Sequence, residues 1–279
     1  MSEAQTGAFA SFEEKWLAAN PEQATVALFQ SSDLRLRAAA FGCLIHELEQ
    51  AAFGLREAHI AEVKIQWWRQ ELAAAASGAP RHPVSAVLFA DPQAAKVGAA
   101  HWNELADGAL AMLHVGAASD LRSLLSSLSA LYTPVAQIEA ALFDAPAVQV
   151  SAAATLWAIS HLLLALRHLG DVPERLPVPL DLLARHELTR AALAEPSPKR
   201  SELVRDFLGS LAHASGAALA DVPSALVARR VRGRLDLDLM KLAQRADEPL
   251  RELMKQPGDA RWKALWWSWR EARAAATRG

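Results

Sequence analysis

The chain has 279 residues, 52% of them hydrophobic and 22% charged, with 29 basic against 31 acidic side chains and a formal net charge of -2. That length leaves ample chain for a buried core without disulfide staples, and the near-neutral balance argues against a nucleic-acid binder held by bulk positive charge. A single cysteine, Cys43, excludes an intramolecular disulfide and any Cys-cluster metal site, and fits a reducing compartment. The first residues, MSEAQTGAFASFEEKW, show no basic segment followed by an apolar run, so the expectation is a cytoplasmic protein without a secretory signal.

Alanine and leucine dominate, β-branched runs are few, and no stretch reads convincingly as a strand, so helix is favoured almost throughout. In chain order the helices are punctuated at Asn20-Pro21, Ser31-Ser32-Asp33, Ser77 to Pro80, Asp91-Pro92, Asp144 to Pro146, Gly170 to Pro179, Glu195 to Pro198, Asp221 to Pro223 and Pro257 to Asp259. These signals predict roughly ten helices, several of them long. No break is long or polar enough for an interdomain linker and no repeat period appears, so residues 1–279 read as one all-α domain. Residues 145–166 carry no Asp, Glu, Lys or Arg over a length that spans a bilayer. Pro146, Gln149, Ser151, Thr155, Ser160 and His161 interrupt them, which favours a buried core helix over a transmembrane one.

The most specific stretch is residues 34–88. It contains Trp67-Trp68-Arg69, the small-residue turn Ser77-Gly78 and then His82-Pro83-Val84; about 90 residues further on comes Arg175-Leu-Pro-Val-Pro179-Leu-Asp-Leu-Leu183. These two patches resemble the squalene/phytoene synthase family. The resemblance implies the isoprenoid-synthase fold, an all-α bundle around a central, largely apolar cavity in which active members join two prenyl diphosphates head to head. Such chemistry needs Mg²⁺ on clustered carboxylates to neutralise the leaving diphosphate, cationic side chains on the phosphates, and apolar walls that keep water from an allylic cation.

Aligned on Trp67-Trp68, the family's first aspartate motif falls over Glu49-Gln-Ala-Ala-Phe53, where one of three acidic positions survives, and the arginine preceding that motif becomes His46. Glu47 and Glu49, two apart, sit on different faces of a helix. The second motif has two registers. Counting back without gaps from Arg175 places it on residues 162–170, which hold no carboxylate; a five-residue deletion places it instead on Asp171-Val-Pro-Glu174-Arg175. Gly170 and Pro173 make that segment a helix exit.

With so few ligands, the chain resembles the family's catalytically degenerate branch, which includes the phytoene-synthase-like assembly factor of respiratory complex I. What this implies is a non-catalytic binding or assembly protein, cytoplasmic or peripheral at the inner membrane, with an isoprenoid or lipid ligand, a membrane surface or a respiratory complex as partner and with no cofactor. The competing reading is an active prenyltransferase. It would place Mg²⁺ on Glu49, Asp171 and Glu174, and phosphate on Arg35, Arg37, Arg167 or Arg175.

Other motifs have plainer readings. The nine histidines form no His-x-x-x-His pair, and His161 and His168, two turns apart, suit a structural or surface role rather than a metal. The run Arg229-Arg230-Val-Arg232-Gly-Arg234 reads as a solvated helix face, partly offset by Asp236 and Asp238, although such a run also suits phosphate or acidic lipid. Trp262, Trp266 and Trp269 fall at i, i+4 and i+7, which predicts a stripe packed on the bundle. Their flanking residues Arg261, Lys263, Arg270 and Arg273 make the same stripe a candidate membrane or partner surface.

Overall fold

The structure, a computed structural model, describes residues 3–167, 177–254 and 261–277. Asp171, Glu174 and Arg175 therefore lie outside the described residues, which contain fourteen α-helices and no strand. The first half comprises α1 (Glu3–Ala19), α2 (Glu22–Val26), α3 (Ser32–Glu49), α4 (Ala58–Ala76), α5 (Pro83–Phe89), α6 (Pro92–Lys96) and α7 (Ala99–Met112). The second comprises α8 (Leu121–Leu142), α9 (Val150–Arg167), α10 (Leu180–Arg185), α11 (Pro198–Asp221), α12 (Val227–Arg245), α13 (Pro249–Leu253) and α14 (Arg261–Ala276).

The break residues act as helix caps. Ser31, Asp91 and Ser197 each accept a hydrogen bond from a backbone N–H in the first turn of α3, α6 and α11, satisfying donors that a helix start leaves open. The turn between α7 and α8 has no proline to announce it; α8 starts instead from a reciprocal Asp120–Ser123 capping box.

Helix α9 is the axis of the molecule. It packs against α8, α11 and α12 and buries residues on every side, from Ala152, Ala153 and Ala154 to Leu162, Leu163 and Leu166, as a helix apolar all round must when it lies in a protein core. One contiguous apolar core runs from Phe9 to Leu253, and a smaller cluster of Val26, Val231, Leu235 and Ala264 lies beneath α14.

Helices α7 and α8 meet backbone to backbone at Gly108, where a Cβ would collide with the Ala130 carbonyl and Leu131 Cα. Pro134, inside α8, lacks the N–H that would bond Ala130, so the carbonyl facing Gly108 is the one its own helix leaves free.

Candidate functional site

The site begins where α3 ends. Directly after Glu49 the chain widens into a π-helical turn, Gln50–Gly54, a local irregularity of the kind that re-aims side chains. Glu49 turns to α8 and accepts a hydrogen bond from the Tyr132 hydroxyl at 2.8 Å. Phe53, where the resemblance puts the last aspartate of the first motif, lies against His161 of α9 with ring centroids 4.0 Å apart. His161 in turn sits 5.9 Å from Tyr132, and Tyr132 stacks on Trp157 at 6.2 Å. Aromatic and imidazole rings thus fill much of the space between α3, α8 and α9.

The opposite wall is α12, and here the structure corrects the expectation of a solvated basic face. Arg229 and Arg232 are 6% and 7% exposed. The Arg229 guanidinium lies 3.3 Å from the centroid of Trp157, with its Nε 3.6 Å from a Glu139 carboxylate oxygen. The other Glu139 oxygen accepts the Trp157 indole N–H at 2.9 Å. Arg232 donates to Asp236 at 2.9 Å, to Glu22 at 3.2 Å and to Asn20 at 2.9 Å, and Asp236 also accepts the Ser160 hydroxyl at 2.6 Å. Arg229 and Arg232 can be buried because Asp236 lies one turn beyond Arg232, while Glu22 and Glu139 arrive from α2 and α8, contacts that local charge patterning does not encode.

Between these walls is a cavity of ≈ 70 Å³, lined by Phe41, Ile45 and Trp157 together with Glu49, Glu139, His161, Arg229 and Arg232. That is room for a few waters; a site for a drug-sized ligand occupies roughly 300–1,000 Å³. Burial sets the protonation chemistry of the cavity. It pushes Glu49 above the usual carboxylate range, against the opposing Tyr132 hydrogen bond and the positive charges of Arg229 and Arg232. Burial likewise raises Glu139, with Arg229 and Trp157 opposing, and lowers Arg229 despite Glu139. It lowers His161 to about 4, so this imidazole is neutral at neutral pH. Burial also opposes the charge on Arg232, but Asp236 and Glu22 outweigh it and keep the guanidinium firmly protonated.

The remaining candidates are dispersed. Arg35 is exposed on α3. Arg37 is a brace: its Nε donates to Asp91 at 2.8 Å and its Nη1 to the Leu142 carbonyl at 2.9 Å, so two of its nitrogens are already engaged. Arg167, at the end of α9, has Nε and Nη2 buried without a hydrogen-bond partner among the described residues, and it feels the charges of Arg232, Asp236 and Glu22. Among the described residues no three His, Cys, Asp or Glu side chains converge to hold a metal. Mg²⁺ bound to diphosphate needs several hard oxygen ligands. Of the described carboxylates, the cavity offers only Glu49, bonded to Tyr132, and Glu139, faced by Arg229; this donor set does not fit the ion.

The tryptophan motif has a structural use that sequence reasoning missed. Trp68 is buried, Trp67 is 40% exposed, and both rings meet His82, at 4.7 Å from Trp68 and 5.7 Å from Trp67. His82 Nδ1 in turn accepts the Val84 N–H and caps α5. The fully buried carboxylate of Glu71, one turn beyond Trp67, accepts the backbone N–H groups of Arg81 and His82, at 2.7 and 2.8 Å, and the Ser85 hydroxyl. Burial would raise this carboxyl, but those bonds outweigh it and hold it below the ordinary range. The only sequence signal was an acid one turn past the tryptophan pair.

The C-terminal stripe also departs from expectation. Helix α14 packs on α12 and α2 through Ala264, Ser268 and Glu271, whereas Trp262, Trp266 and Trp269 are 83%, 52% and 40% exposed. The tryptophan that packs inward is Trp267, between Arg234 and Arg270.

This all-α bundle has the isoprenoid-synthase fold, as its likeness to two solved structures shows. A dehydrosqualene synthase in complex with ligand superposes with a TM-score of 0.70 over 99% of both chains at 12% identity. Squalene synthase HpnC from Alicyclobacillus acidocaldarius gives 0.64 over 88% of this chain and 97% of its own, also at 12% identity. No protein-family model and no curated protein matches the sequence.

Proposed function

We propose that this chain is a non-catalytic binding or assembly protein on a squalene-synthase-like fold, working in the cytoplasm or peripherally at the inner membrane. The observation that carries the reading is internal neutralisation of the cavity. Arg229 faces Glu139 and Trp157, Arg232 is held by Asp236 and Glu22, and Phe53, aligned with the last aspartate of the first motif, packs on His161 instead of offering a carboxylate. A diphosphate entering such a site would have to displace the protein's own carboxylates from the arginines, with no metal cluster among the described residues to gain in exchange.

The fold shared with a ligand-bound dehydrosqualene synthase supports an isoprenoid or other lipid as the class of molecule handled. With ≈ 70 Å³ of space, a prenyl tail would enter only if side chains such as Phe53 or Trp157 moved aside. The likeness of the motif region to the degenerate branch supports a membrane complex, a respiratory complex among them, as partner. The test is incubation of the purified full chain with farnesyl or geranylgeranyl diphosphate and Mg²⁺, followed by product and diphosphate analysis. The expected result is no turnover; product formation abolished by Glu49→Ala would establish the prenyltransferase reading instead.

A further inference from the structure

We propose that the outward face of α14 docks on an anionic lipid bilayer. This deepens the peripheral location proposed above and rests on it. With Ala264, Ser268 and Glu271 turned inward, the helical repeat of 100° per residue puts Trp262, Trp266, Trp269 and Arg273 on the opposite side. Three indoles in one outward row keep 83%, 52% and 40% of their surface exposed, and Trp266 and Trp269 lie together at 5.4 Å. Indole combines a broad apolar body with one N–H, the chemistry that settles at the boundary between headgroups and acyl chains.

Charge specifies the occupant. The single acid of α14, Glu271, is 2% exposed and tied inward to Arg230 and Arg234. Lys263 meets Asp238 at 3.5 Å. Among the described residues Arg261, Arg270 and Arg273 have no carboxylate within ion-pair distance, so the tryptophan row is bordered by unneutralised guanidiniums in a protein whose net charge is -2. Arg273 stands 5.2 Å over the Trp269 ring, placing cation and indole at one depth. The short helical turn Ala27–Phe29, packed against α14, adds Leu28 at 70% and Phe29 at 36% exposure. An apolar row edged by cations, on a helix whose one acid is buried, complements a negatively charged membrane surface.

Vesicle co-sedimentation of the full chain tests this, using phosphatidylcholine alone and phosphatidylcholine containing phosphatidylglycerol. Wild type should bind the second and not the first, with affinity falling as salt rises. Combining Arg261→Gln, Arg270→Gln and Arg273→Gln should weaken binding about fivefold per arginine, roughly 100-fold together. Combining Trp262→Ala, Trp266→Ala and Trp269→Ala should weaken it at least about tenfold with unchanged circular dichroism, because these side chains are exposed. Undiminished binding by the tryptophan variant would overturn this surface while leaving the peripheral location standing; no binding by wild type would remove both. A tryptophan-dependent dimer in light scattering would identify a second copy as the occupant and refute the lipid.

Discussion

Replacing Arg229 with methionine keeps a flexible apolar stem against Trp157 but removes the cation facing Glu139, leaving a buried carboxylate whose remaining partner is the Trp157 indole N–H at 2.9 Å. Breaking a buried pair from one side costs about 3–5 kcal/mol, because the surviving charge has lost its solvent as well as its partner. At about 2.1 cal/mol/K of unfolding entropy per residue, 279 residues give roughly 0.6 kcal/mol/K, so Tm should drop by roughly 5–8 °C. Glu139→Gln keeps an acceptor for Trp157 but strands the arginine, and it should also destabilise. The double variant should recover most of the loss, since burial pushes both groups toward neutrality and the pair contributes little beyond cancelling its own charges. Urea and thermal unfolding of the four proteins complete the cycle. If Arg229→Met left stability unchanged or raised it, the arginine would be a strained group kept for an incoming anion, and the self-neutralised cavity would be refuted.

Two further outcomes can be checked. His161, lowered to about 4 by burial, binds its proton more readily in the unfolded chain, so stability is fully present above about pH 6.5 and is lost progressively as pH falls toward 4. His161→Gln should flatten that limb of a Tm-against-pH profile relative to wild type; coincident limbs would contradict the assignment. Glu71→Ala leaves the Arg81 and His82 N–H groups without their acceptor and the Ser85 hydroxyl with only the His82 carbonyl, and should cost about 3 kcal/mol, read by urea unfolding, whereas an unchanged midpoint would show that water replaces the carboxylate.

The sequence by itself determined the helical class and the interior position of α9. These follow from local quantities: alanine and leucine content, proline and cap residues at the breaks, and a 22-residue stretch without charge. It could not show that Arg229 and Arg232 point inward. Their partners Glu139 and Glu22 are 90 and 210 residues away, and a basic run has the same local pattern whether water or a distant carboxylate solvates it. The tryptophan stripe failed for the same reason: spacing shows that Trp262, Trp266 and Trp269 share a face, and only the placement of Ala264 and Glu271 against α12 and α2 decides that this face looks outward. Local sequence sets which residues lie together on a helix; which way that helix faces is settled by the packing of the whole chain.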